Sequence, residues 1–319
     1  MTSEIAAEDP YRASERTAGP LRLVEHVPDL LEEEHGFGGF LFDAAGRAIV
    51  EGAALWLYTT RLSEGRWDSW VRRLDLATLR TGPARRILGP EAGRDRAVLH
   101  HIVRIDGLIV GFYCDGLGLS AAVADSPDGP FTRDPGFRVR PERGWETRDT
   151  APERWSLECN GAWAPRSDAP GDFWLGYDSY RREGRLGDLG WLRVEIDATA
   201  RAVHARERHP ANPLAFRDPD WACARCGGNL SSDVRVRGRR AFFYYLRPDA
   251  GSLRIGLALS EDPLFLEGVE HHVIGGPLGE EEVAEKFQAI PRGDEILLFY
   301  ESRHRDGRWH TGLRRYRER

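Results

Sequence analysis

The chain carries 44 arginines and a single lysine, Lys286, in the segment Glu285-Lys286-Phe287-Gln288-Ala289-Ile290. A guanidinium replaces an ammonium on almost any solvated surface, and the two differ where a compact, deprotonatable point charge is needed. Lys286 is therefore a candidate site residue. Among carboxylates it can hold a substrate carboxylate, phosphate or hydroxyl, or lower the pKa of a nearby base. On a strand, alternation turns either Lys286 with Gln288 or Glu285 with Phe287 towards a site, but not both pairs. The other reactive residues are more constrained. His100-His101 and His271-His272 are adjacent pairs, so on strands the two rings point to opposite faces and cannot share one metal. A mononuclear site would have to collect His101, His35 and a carboxylate from separate segments. Cys223-Ala224-Arg225-Cys226 is one C-x-x-C without a second pair, so zinc there would need histidine or carboxylate help. Gly118-Leu119-Ser120 lacks the second glycine of a nucleophile elbow, and no glycine-rich phosphate loop is present. The sequence assigns no metal and no cofactor.

Positioning falls to strands. Five apolar, aromatic runs recur along the chain: Leu55-Trp56-Leu57-Tyr58, Ile109-Val110-Gly111-Phe112-Tyr113, Phe173-Trp174-Leu175-Gly176-Tyr177, Phe242-Phe243-Tyr244-Tyr245 and Leu297-Leu298-Phe299-Tyr300. Their residue types are those of buried strands. Several are preceded by a second strand and a tight turn, as at Leu99 to Ile105 with Asp106-Gly107, Val234 to Val236 with Arg237-Gly238, and Phe287 to Pro291 with Arg292-Gly293. A third strand follows at Leu119 to Ala124, Trp191 to Ile196, Leu253 to Leu259 and Thr311 to Tyr316. Helical patterns are short, at Val27 to Glu34 and Glu280 to Glu285. Repeated antiparallel meanders read as blades, which predicts an all-β, five-bladed β-propeller. The expected organisation is a flexible segment over residues 1–20 and one propeller domain over residues 21–319, with Leu21 to Val27 supplying a closing strand to the last blade. A pair of β-sandwich domains is the rival and explains the even spacing less well. Lys286 then opens the last blade, where side chains face a central funnel.

Several motifs resemble those of a known family. Leu119-Ser120-Ala121-Ala122-Val123-Ala124-Asp125-Ser126-Pro127-Asp128-Gly129-Pro130-Phe131 is similar to the third-strand signature of arabinanase- and xylosidase-type five-bladed propeller glycosidases. The stretch Ile255 to Leu266 carries a second copy. Glu158-Cys159 and Asn160-Gly161-Ala162-Trp163-Ala164-Pro165 are similar to motifs of that clan and of the related invertase-type enzymes. The resemblance implies a glycosidase-like site with three carboxylates at the funnel ends of the first strands: a base or nucleophile, a pKa-tuning aspartate and an acid. Glycosidic cleavage needs one carboxyl protonated and another ionised, and a neighbouring charge raises the acid's pKa. By this resemblance Glu158 is the acid. The chain departs from the pattern elsewhere. His101 stands where the second blade's aspartate belongs, and the first blade offers only Glu33-Glu34-His35, where Glu34 or Glu33 would be the base. Arg217-Asp218-Pro219 falls on the wrong side of Glu158-Cys159 for the invertase-type element, which assigns Asp218 to a connecting loop. Lys286, His35, Asn160, Asp233 and Gln288 are the expected substrate-binding residues, with Asn229, Ser231 and Ser232 near Asp233.

Composition narrows the partners. Net charge is -6 with both signs interspersed, and no basic groove for nucleic acid is present. The segment Met1 to Pro20 is polar without an apolar h-region, and no window is long enough to span a membrane. These features predict a cytoplasmic protein acting on a small molecule, a short oligosaccharide or a glycosylated metabolite; the oligomeric state is left open. Two alternatives share the scaffold. One is a biosynthetic tailoring enzyme with altered, non-hydrolytic chemistry. The other is a non-catalytic sugar-binding propeller in which Trp163, Trp221 and Trp309 stack on sugar rings.

Overall fold

The computed structural model describes residues 19–31, 35–147, 150–166, 169–181, 185–214, 226–246 and 254–319. At 160–162, 181, 185–188, 226–233, 245–246 and 254 it describes the backbone only. Strand β1 (Leu21–Val27) comes first among the described residues. The first blade follows with β2 (Gly36–Phe42), the short β3 (Val50–Glu51), β4 (Ala54–Ser63), β5 (Arg66–Asp75) and β6 (Arg85–Leu88). The second holds β7 (Val98–Ile105), β8 (Leu108–Cys114), β9 (Leu119–Ala124) and β10 (Thr132–Val139). The third holds β11 (Trp155–Pro165), β12 (Asp172–Arg181), β13 (Arg185–Asp197) and β14 (Ala202–Arg208). The fourth is β15 (Cys226–Val236), β16 (Arg239–Leu246), β17 (Arg254–Ser260) and β18 (Glu270–Gly275). The last is β19 (Glu281–Arg292), β20 (Glu295–His304) and β21 (Trp309–Glu318), completed by β1 pairing antiparallel with β21.

Each aromatic run forms the second strand of its blade, where both faces are buried against neighbours. Asp106-Gly107 and Arg237-Gly238 turn their hairpins with both residues at positive φ, the geometry that matches strand twist. The innermost strands touch in the cyclic order β2, β7, β11, β15, β19 and back to β2. A short parallel pairing, Leu41 with Ile102 and Phe42 with Val103, stitches the first blade to the second. Among the described residues the core divides into five clusters, one at each interface between adjacent blades. That division is what a closed ring of five sheets requires, since each sheet buries both faces. The fold is an all-β, five-bladed β-propeller, with the first strand sealing the last blade.

The two helical expectations fail. Glu280 to Glu285 is not helical: β19 begins at Glu281 and pairs with β20, whose ladder overrides a weak local pattern. The expected helix over Val27 to Glu34 fails too where it is described: Val27 closes β1 and residues 28–31 are bends and irregular backbone, while residues 32–34 lie outside the described residues. Among the described residues the sole helical turn is Pro152–Arg154.

Every innermost strand also slips register near its middle. The breaks fall between Phe37 and Gly39, Leu99 and His101, Cys159 and Trp163, Leu230 and Arg235, and Glu285 and Gln288. Extra residues re-aim the side chains on either side of them, and this decides what reaches the funnel.

Candidate active site

Four of the five blades line a cavity of about 590 Å3. Trp67 and the loop carrying Arg94, Asp95 and Arg96 form one wall, and Asp115 and Leu117 the next. Glu158 and Tyr180 come from the third blade, and Glu285, Lys286, Glu301 and Trp309 from the last.

The bulge in β19 places the lysine. Lys286 has φ of +55°, in the left-handed region, which costs a residue with a Cβ about 1 to 2 kcal/mol. The kink breaks the alternation, so the adjacent residues Glu285 and Lys286 both line the cavity. Phe287 turns into the core between the fourth and fifth blades. Strain of this kind persists where the surroundings over-determine it, commonly at sites of function.

Three side chains converge on that ammonium's surroundings. Lys286 Nζ lies 2.6 Å from Glu301 Oε2 and 3.7 Å from Glu158 Oε1. His100 Nε2 lies 2.7 Å from the same Glu158 oxygen. Burial alone would raise the Glu158 carboxyl, but Lys286, His100 and Arg96 override it and hold it far below the usual carboxylate range. Burial pushes the His100 imidazole down despite Glu158, so the ring is neutral near pH 7. The Lys286 ammonium is held well above the lysine range: Glu301, Glu158 and Glu285 outweigh its desolvation. Behind Glu158, the Tyr180 hydroxyl lies 3.3 Å from the Cys114 sulfur and accepts a long hydrogen bond from Arg96 Nη1 at 3.5 Å. Burial and Glu158 push the Cys114 thiol up to about 11, so it is no nucleophile at neutral pH.

Glu301 occupies space that Gly36 leaves empty. A Cβ on Gly36 would collide with Glu301 Oε1 and stand 2.7 Å from Thr60 Oγ1, whose hydroxyl donates to that carboxylate oxygen at 3.3 Å. A carboxylate from the last blade thus fills the position that a side chain at the start of the first blade's inner strand would take.

The sequence-based candidates divide accordingly. Glu158 and Lys286 meet in the cavity, but Glu158 is held ionised and not poised as an acid. His101 is a correction: the register slip turns its neighbour His100 to Glu158 and sends His101 into the interface between blades. There it stacks on Trp163 at 5.1 Å and Phe42 at 5.4 Å. His35 is fully buried away from the cavity lining; Arg72 Nη2 lies 3.2 Å from its Nδ1, and its carbonyl accepts from Thr311 at 2.7 Å. Gln288 is also buried. Its amide donates to the His100 carbonyl and accepts from Phe40 N–H, both at 3.0 Å, clamping three inner strands together. His35 and His101 therefore cannot share a metal in the funnel as the sequence allowed. Glu33, Glu34, Asp218, Trp221 and Cys223 lie outside the described residues, as do the side chains of Asn160, Cys226, Asn229, Ser231, Ser232 and Asp233. Trp163 is buried, whereas Trp309 lines the cavity and meets Trp67 edge-on at 5.7 Å.

Sequence reasoning missed His100, Glu301 and Trp67, offered Glu285 only as an alternative to Lys286, and named Trp309 without its partner. One signal for Glu301 was available: a glutamate directly follows the buried run Leu297–Tyr300, inside a strand with no polar face.

No family model matches the sequence, and neither does any curated protein. Solved structures match along nearly all of it. A protein described as a glycoside hydrolase shares 13% identity at a TM-score of 0.57, over 98% of this chain and 96% of that one. The catalytic domain of the Coprinopsis cinerea GH62 alpha-L-arabinofuranosidase shares 9% at 0.56, over 93% and 96%. The endo-arabinase from Bacteroides thetaiotaomicron shares 13% at 0.51, over 91% and 96%. The fold is that of the propeller glycosidases. At such identities the likeness speaks for architecture alone, and chemistry has to be argued from the cavity.

Proposed function

We propose that the protein is a glycosidase-type enzyme acting on a small glycoside bound in this cavity. One observation carries the reading: two carboxylates from different blades, Glu158 and Glu301, meet at a single ammonium in a cavity of about 590 Å3, a volume suited to one small ligand. The half-buried Trp67–Trp309 pair gives sugar rings an apolar face to pack on.

In this reading Glu158 is the ionised partner that activates water or meets the sugar carbon, since Lys286, His100 and Arg96 favour its charged form. Lys286 also fixes Glu301, so that each carboxylate is oriented before substrate arrives, Glu158 through its Oε1. The proton for the leaving oxygen falls to Glu285. It is the third glutamate lining the same cavity.

Turnover of a panel of aryl pentosides and hexosides tests this. Measurable hydrolysis by the parent protein that Glu158→Gln abolishes supports it; equal turnover by that variant refutes it. The ion triad itself favours a second reading, non-hydrolytic chemistry on the same scaffold, because a salt-bridged carboxylate pair resists the proton exchange that hydrolysis needs. Sugar binding by calorimetry with no turnover of any aryl glycoside would select that second reading.

A further inference from the structure

A second cluster lies at the same end of the last blade, outside the carboxylate site. His304 ends β20, His310 is the second residue of β21, and Asp29 follows β1. Leu30 N–H donates to the Thr311 carbonyl at 2.9 Å, which holds the Asp29 segment against β21. His310 Nδ1 lies 2.7 Å from Asp29 Oδ1, and His304 Nε2 lies 3.8 Å from the same oxygen. One donor atom from each of the three residues falls within 4.8 Å of the others. Both imidazoles are only 8% exposed, and the Nε2 atom of each is buried without a hydrogen-bond partner. Two buried ring nitrogens without a partner need an explanation, and one of them, His304 Nε2, lies beside the carboxylate. The charged groups of the hairpin do not supply it, because Arg308 pairs with Asp306 and Arg303 lies over the Trp309 ring.

We propose that Asp29, His304 and His310 bind one divalent transition-metal ion, with zinc the best match. Two imidazoles and a carboxylate suit zinc, whereas calcium and magnesium ask for oxygen ligands throughout. The rings now stack at 4.0 Å with 25° between planes, so their lone pairs do not yet converge. Loading rotates them out of the stack to bring each donor about 2.0–2.2 Å from the ion. The ion would clip the segment after β1 to the β20–β21 hairpin, beside the cavity residue Trp309.

The test is calorimetric titration of the chelator-stripped full chain with zinc sulfate, with cobalt(II) absorption as a second readout. The expected result is one equivalent bound, a raised Tm, and four-coordinate cobalt bands without a sulfur-to-metal charge-transfer band. His304→Gln and His310→Gln should each weaken binding by more than about 100-fold, since even outer-shell changes cost about 10- to 100-fold. Asp29→Asn, at an exposed carboxylate, keeps the fold and should weaken binding and change the cobalt spectrum. Glu158→Gln should leave binding unchanged, so the outcome is independent of the proposed hydrolysis. The inference is overturned if the parent binds no equivalent. It is equally overturned if Asp29→Asn and a folded His304→Gln/His310→Gln double variant bind zinc as the parent does, or if a sulfur band places the ion on cysteine.

Discussion

Two acid–base clusters share the last blade, and they differ in what surrounds them. At the ring closure, Arg314 Nη2 lies 2.7 Å from Glu281 Oε2, with side chains 1% and 0% exposed. Glu281 also accepts from the Leu278 N–H at 2.9 Å and from the Tyr300 hydroxyl, and His26 Nε2 lies 3.0 Å from its Oε1. In the cavity, Lys286 joins Glu301 and Glu158, and the side chains of Lys286 and Glu158 keep 21% and 25% of their surface exposed. Both clusters hold a glutamate ionised against burial. The first is sealed, with hydrogen bonds on both carboxylate oxygens, and serves to anchor β1 and β21. The second faces open volume on a strained backbone, which leaves its charges available to a ligand. The same pairing is structural or chemical according to whether space adjoins it.

Substitutions can pull this contrast apart. The largest expected effect is Glu158→Gln, which should lower aryl-glycoside turnover by about 10²- to 10⁴-fold while thermal unfolding changes little. Glu281→Gln should do the reverse, costing about 3–5 kcal/mol in denaturant titrations because Arg314 is left buried and unpaired; turnover per folded molecule should hold. The pH dependence of stability should carry a contribution from the sealed cluster. The Glu281 carboxyl is lowered to about 2 from its ordinary 4.5. Its contribution, about 3 kcal/mol, is present above pH 4.5 and lost as pH falls towards 2. That part of the slope should vanish in Glu281→Gln, whereas Glu158→Gln should remove the separate part that comes from the Glu158 carboxyl, also held ionised in the fold. Gly36→Ala should cost about 1–3 kcal/mol, since its methyl overpacks the Glu301 carboxylate. The subtlest is Lys286→Asn, which tolerates the positive φ but removes the ammonium. The acid limb of the pH–rate profile should move to higher pH as the Glu158 carboxyl loses its main cation.

Much of the architecture was legible because it rests on the repetition of aromatic runs, which five interfaces between blades demand. The closing role of Leu21–Val27 was legible for the same reason, since the last repeat lacked an outer strand. The site was less so. Strand alternation is a sound rule until a bulge intervenes, and it broke at the two decisive places. It put His101 where His100 belongs, and it forced a choice between Lys286 and Glu285 when both line the cavity. Nothing in Leu99-His100-His101-Ile102 marks the slip, which arises from the pairing of β7 with β8. Glu301 escaped notice for a different reason: it acts across blades, through space that a glycine distant in sequence leaves vacant.

The seam between β1 and β21 has a bearing on how the molecule is made. Arg319 N–H donates to the Pro20 carbonyl at 3.0 Å, so opposite ends of the described chain meet in one sheet. During synthesis the earlier blades can assemble as they emerge, but β1 must wait with an unpaired edge until the final strand leaves the ribosome. The ring therefore gains its last sheet only after β21 has been made, and a product interrupted before it would display an open, adhesive strand.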